Sequence, residues 1–146
     1  MVKVEASVVI KAPKSEVYAW FSKPENWAKF EGAAWKSVRV TVKRGAVVTA
    51  TQEGTVARKS MKGTFKYSCS APDKVDAVWS GSYGRVAFKE QPFSWDLTEV
   101  PGGTKVSWST VAYIPCFVKL FGPGGEAVLQ GLMQKELEKI QKMFQK

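Results

Sequence analysis

The chain has 146 residues, 22 Lys and Arg against 13 Asp and Glu, a formal charge of +9, and an apolar share of 45%. That length suits one domain over 1–146, the apolar share argues against disorder, and no apolar run approaches the roughly 18 residues of a membrane span. Histidine is absent, which excludes every Ser-His-Asp or Cys-His nucleophile and every His-bearing metal site.

Val2, Val4, Ala6, Val8 and Ile10 alternate with Lys3, Glu5, Ser7 and Lys11, the period of a half-buried strand. The start, Met-Val-Lys-Val-Glu-Ala, lacks a secretory apolar region, so a cytoplasmic address is expected. Ala12-Pro13 stops the strand, and Lys14 to Ser22 reads as a short helix with Val17, Trp20 and Phe21 on one face. Pro24 to Phe30 reads as a second short helix stopped by Gly32.

From Trp35 to Ile114 the pattern is strands and turns. Val38, Val40 and Val42 alternate, Arg44-Gly45 turns, and Ala46 to Val56 is β-rich with no clear phase. Met61, Gly63, Phe65, Tyr67 and Cys69 alternate cleanly, and after the Ala71-Pro72-Asp73 turn Val75, Ala77 and Trp79 share a face. Val86 and Phe88 continue in even phase, but beyond Gln91-Pro92 the apolar set moves to Phe93, Trp95 and Leu97. That slip predicts a bulge or bend, where Pro is tolerated. Pro101-Gly102-Gly103 turns into a last strand carrying Val106, Trp108, Thr110, Ala112 and Ile114. One-sided alternation over so many strands predicts an antiparallel sheet of about six or seven strands with one covered face. Gly122-Pro123-Gly124-Gly125 breaks the chain before a helix from Glu126 to about Phe144. At 100° per residue, Leu129, Leu132, Met133, Leu137, Ile140, Met143 and Phe144 fall within about 140° of arc, a core-facing stripe.

The first strand, Ala12-Pro13, Val17 to Phe21, Pro24 to Phe30, the Gly103-Thr104-Lys105-Val106 hairpin and the closing amphipathic helix resemble the START/Bet v 1-like superfamily of polyketide cyclases and lipid carriers. The resemblance implies an α+β helix-grip fold, in which a curved antiparallel sheet wraps a long C-terminal helix and two short helices follow the first strand. It also implies a cavity for a lipid, quinone or polyketide-like molecule, in a family with no universal catalytic motif and with co-chaperone members.

Phe65, Tyr67, Trp79, Phe88 and Trp108 lie on the inward rows, facing Leu129, Met133 and Ile140 of the helix. They read either as a packed core or as the wall of an apolar ligand pocket. Trp27 and Phe30 either gate that pocket or staple their short helix to the sheet. Glu136 falls inside the apolar arc, where a charge is rarely buried without a partner. It is read as a ligand-binding or proton-transfer carboxylate, or as half of an ion pair. Glu90, in phase with Val86 and Phe88, is a second carboxylate at the rim or in the pocket. For an enzyme of this fold, Glu136, Glu90 and Tyr67 are the candidates for proton transfer.

Cys69 and Cys116 cannot close a four-thiolate site, so neither metal nor cofactor is expected. Lys135, Lys139, Lys142 and Lys146 form a basic stripe on the last helix, and Arg39, Lys43, Arg44, Arg58, Lys59 and Lys62 add scattered charge. Their default is a solvated surface, and transient attraction to anionic lipid headgroups comes next. Nucleic-acid binding would call for exposed aromatics among the charges, and none is evident. The oligomeric state is open. The expected function is binding, transport or sensing of a hydrophobic small molecule, with a cyclase- or hydrolase-like enzyme or a protein-interaction module as alternatives.

Overall fold

A computed structural model describes residues 2–29, 33, 35–44, 47–56, 59–70, 73–112 and 124–145. Phe30, Gly32, Ile114, Cys116 and Gly122-Pro123, all used in the expectations above, lie outside the described residues. The elements run β1 (Val2–Ile10), α1 (Lys14–Phe21), a 3₁₀ turn (Pro24–Ala28), β2 (Trp35–Arg44), β3 (Val47–Val56), β4 (Lys59–Ser70), β5 (Lys74–Tyr83), β6 (Val86–Val100), β7 (Gly103–Ala112) and α2 (Gly125–Phe144). The strands form one curved antiparallel sheet in the order β1-β7-β6-β5-β4-β3-β2.

Local chemistry explains the elements that matter for the site. In α1, Val17 and Phe21 are one turn apart and both are buried, so the helix is held by its inner face. The second short helix, read from the sequence as Pro24 to Phe30, is described as a 3₁₀ turn of five residues, Pro24–Ala28. Pro24 opens it, and the Asn26 amide donates back to the Trp20 carbonyl at 3.1 Å. Trp27, three residues beyond Pro24, is thereby turned inward with it.

The alternation read from the sequence holds in β1, β4 and β5, where Val4, Ala6, Val8, Ile10, Phe65, Tyr67, Val75, Ala77 and Trp79 are buried. In β3, where phase was ambiguous, Ala50 and Gln52 take the inward positions. The predicted slip in β6 is present. Trp79 pairs with Gln91 and Gly81 with Phe88, so one extra residue of β6 opposes Ser80. Glu90 occupies it at φ 53°, its N–H accepted by the Ser80 hydroxyl at 2.9 Å. Bulges of this kind reset which residues face the core.

Helix α2 packs along β1, at one edge of the sheet. Gln134 accepts from the Ser7 N–H at 3.3 Å and donates to the Ser7 carbonyl at 3.0 Å. Gln141, two turns on, donates to the Val9 carbonyl at 2.7 Å. The helix therefore covers the sheet's concave side and also satisfies backbone groups of an edge strand that would otherwise stay open. No helix among the described residues is long and apolar enough to cross a membrane.

Candidate ligand cavity

Between the concave face and α2 lies a cavity of about 170 Å³. All six tryptophans of the chain line it. Each comes from a different element. Trp20 is on α1, Trp27 on the 3₁₀ turn, Trp35 on β2, Trp79 on β5, Trp95 on β6 and Trp108 on β7. The rings form a continuous lining. Trp95 stacks on Trp108 with centroids 5.5 Å apart, Trp27 meets Trp95 at 4.8 Å, and Trp79 meets Phe88 at 5.6 Å. Trp35 stands edge-on to Phe65 at 5.6 Å. Leu129, Leu132, Met133, Glu136 and Ile140 of α2 line its other side. The volume is below the roughly 300–1,000 Å³ of a drug-sized pocket and near the ~150 Å³ that accommodates benzene. It suits one aromatic ring with a short substituent.

Few polar atoms reach this space. The indole N–H groups of Trp27, Trp79 and Trp108 are buried without a hydrogen-bond partner. Trp79 lies across Gly63, where an added Cβ would stand 2.2 Å from its Nε1. Gln91, turned inward by the bulge, donates to the Thr110 hydroxyl at 2.7 Å and to the Val111 carbonyl. Thr110 in turn donates to the Pro92 carbonyl at 2.6 Å, so this amide is braced on both neighbours. The Glu136 side chain is 16% exposed, with Oε2 3.8 Å from the half-exposed Lys139 ammonium. Burial pushes the Tyr83 hydroxyl above its ordinary pKa. Among the described residues, no group of three His, Cys, Asp or Glu side chains is placed to hold a metal.

Of the residues singled out from sequence, Trp27, Phe65, Trp79, Phe88, Trp108, Leu129, Met133, Glu136 and Ile140 come together in the wall. Two do not reach it. Tyr67, although on the inward face, is sealed off, with 2% of its surface exposed. It lies edge-on to Trp27, its ring centroid 5.0 Å away, and its hydroxyl accepts from the Gln52 amide at 2.9 Å. Burial pushes its pKa well up, against a smaller lowering by Gln52. Glu90 sits on the exposed bulge, and Gln91 takes the inward place that the Val86–Phe88 phase had given to Glu90. Sequence reasoning left Trp20, Trp35, Phe93 and Trp95 out of the site. The usable signal for Phe93 and Trp95 was the phase slip itself, because the residues beyond a bulge share the new inner row.

A sequence model of the family described as "Polyketide cyclase / dehydrase and lipid transport" matches residues 1–145. No curated protein matches the chain. Among solved structures, TTHA0849 from Thermus thermophilus superimposes with a TM-score of 0.77 at 16% identity, covering 98% of this chain and 97% of that one. The Zhui aromatase/cyclase from a Streptomyces species gives 0.71 at 11% identity, covering 98% and 90%. Ara h 8.0201 gives 0.69 at 14% identity, covering 98% and 97%. The chain spans 48% of the di-domain ARO/CYC BexL, with a TM-score of 0.72 at 15% identity over 98% of its own length. At these identities the likeness is one of fold.

Proposed function

The chain belongs to the polyketide cyclase / dehydrase and lipid transport family, and from that premise we propose that it is a carrier or sensor enclosing a hydrophobic small molecule between its sheet and α2. One observation carries the reading, the partly open space of about 170 Å³ walled by every tryptophan of the chain. Large aromatic side chains normally fill interiors to crystal-like density. Six of them arranged around a void, closed by Met133 and Leu129, make the composition of a binding site.

Native mass spectrometry of freshly purified protein tests this directly. A retained small molecule released by denaturation supports it. The wall also supplies its own signal, since any occupant touches tryptophan. A bare mass, together with no change in tryptophan emission on titration with toluene, would overturn the proposal.

A second reading, a cyclase-like enzyme, is favoured by the Glu136 carboxylate in the wall and by the aromatase/cyclase among the similar structures. In that role Glu136 would exchange a proton with an enclosed carbonyl compound. Turnover that survives Glu136→Gln would remove Glu136 from this role, and the absence of any turnover by the wild-type protein would end the enzyme reading and leave the carrier reading intact. The exposed Lys135, Lys139 and Lys142 of α2 fit a transient docking face for anionic headgroups. Retention on anionic vesicles that is lost on adding salt would support that docking.

A further inference from the structure

We infer that Gln91 sets the specificity of the cavity, its amide oxygen selecting a neutral one-ring aromatic compound that carries a hydroxyl group, as a phenol does. This inference rests on the small-molecule reading above and specifies the chemistry of the occupant.

The hydrogen bonds of Gln91 fix which end of its amide is which. A backbone carbonyl only accepts, so the amide atom bonded to the Val111 carbonyl is the nitrogen. The Thr110 hydroxyl gives its proton to the Pro92 carbonyl at 2.6 Å, so toward Gln91 it accepts, at 2.7 Å. Both hydrogens of Nε2 are thereby committed, and the plane of the amide is held. The oxygen at its other end, Oε1, accepts from none of the described residues. Nor is it sealed in, since the buried side-chain polar atoms without a partner belong to Trp27, Gln52, Trp79 and Trp108. Gln91 as a whole is 8% exposed and borders the cavity, as do its cross-strand partner Trp79 and Phe93, two residues along β6. The unused acceptor therefore opens onto the space between the rings.

The bulge at Glu90 and this acceptor are one feature, because the extra residue is what brings Gln91 to the inner row. An oxygen already held in direction receives a donor without the further cost of ordering its own side chain. Beside it, the Phe93 ring, its centroid 6.2 Å from that of Trp108, offers an aromatic face to a planar guest. The volume of about 170 Å³ limits that guest to one ring. Charge of either sign is poorly served. No Lys or Arg lines the cavity among the described residues, so an anion would be desolvated without a counter-ion. The Glu136 carboxylate already has the Lys139 ammonium 3.8 Å away, and an organic cation would have to share it.

Phenol and toluene, which exchange a hydroxyl for a methyl group, test this on the intact protein and on Gln91→Met. Affinities are read from tryptophan emission, and the side-chain carbonyl carbon of Gln91 is followed by NMR. Phenol is the better hydrated compound, so the quantity compared is the ratio of the two affinities in each protein. The expected result is a ratio shifted about tenfold toward toluene by Gln91→Met, the equivalent of one good hydrogen bond. In the unsubstituted protein, phenol and not toluene should move the Gln91 carbon downfield. Where the variant does not fold, the carbon shift decides alone. A ratio left unchanged by Gln91→Met, or a Gln91 carbon that responds alike to both compounds, would overturn the inference, and toluene binding would still uphold the cavity reading. Failure of both compounds to bind would overturn this inference and the small-molecule reading together.

Discussion

Tyr67 shows how a side chain can face inward and still be no part of the site. Its hydroxyl is enclosed and accepts from Gln52, and burial outweighs that hydrogen bond and holds the proton on. In the unfolded chain a tyrosine ionises near its ordinary pKa of 10.0, whereas native Tyr67 keeps its proton above that pH. The native state then binds more protons than the unfolded state, so stability is fully present below about pH 10 and falls as pH rises beyond it. Cys69, also raised by burial, adds a decline that starts nearer pH 9. Urea unfolding from pH 8 to 11 should show this loss, and Tyr67→Phe should lessen the part above pH 10, the rest of which comes from Tyr18 and Tyr83, also raised by burial; an unchanged slope would refute the assignment. Gly63 gives a second test at this scale. Its alternating position was legible in the sequence, but the reason it is glycine was not, because that reason is the Trp79 ring lying on it. A Cβ there meets Trp79 Nε1 at 2.2 Å and the Ser80 carbonyl at 2.7 Å. Gly63→Ala should therefore destabilise by about 1–3 kcal/mol, measured by denaturant midpoint, and should alter tryptophan emission as Trp79 is displaced.

At the scale of elements, β6 was the most informative strand in the sequence. The change of apolar phase across Gln91-Pro92 announced a bulge, and the structure puts it one residue earlier, at Glu90. Which residue absorbs the left-handed conformation was not legible, since alternation records the slip and not the dihedral. A non-glycine residue at φ 53° carries a strain of order 1 kcal/mol. Glu90→Gly should thus be neutral or stabilising by up to about 1 kcal/mol, and Glu90→Val destabilising, as chemical denaturation would show. The two responses separate a strained bulge from an ordinary surface position, where both changes would stay within about 0.5 kcal/mol. The last helix was legible in extent and in its apolar face, but the use of its polar flank was not. The role of Gln134 and Gln141 emerges only once β1 is seen to be an edge strand with backbone groups to satisfy. Replacing both by Ala should speed exchange of the Ser7 amide hydrogen relative to amides in β4, because local opening at this edge becomes easier.

Across the whole molecule, alternation told which face each strand buries but not whether that face meets packed side chains or a void. The difference depends on sheet curvature and on the stand-off of α2, which arise from the assembly of all seven strands. Trp20 and Trp35 were missed for that reason. They sit on different elements, far apart in sequence, and converge only when the sheet closes over the helix. The interior is accordingly of two kinds along α2 itself. Leu137 is 0% exposed and does not line the cavity, while Met133, at 2%, does. Truncating a buried large residue costs about 2–5 kcal/mol, with the spread set by how far the surroundings can collapse into the space left behind. Leu137 is enclosed by packed side chains, so Leu137→Ala should fall near the top of that range. Met133 already borders empty space, so its truncation forfeits less packing and Met133→Ala should fall near the bottom, about 2 kcal/mol. The same truncation enlarges the existing void and should extend the ligands accepted to two-ring hydrocarbons such as naphthalene, read by tryptophan emission. Equal losses of stability for the two variants, with no gain in naphthalene binding, would mean that the space beside Met133 is packed in solution and that the protein holds no guest there.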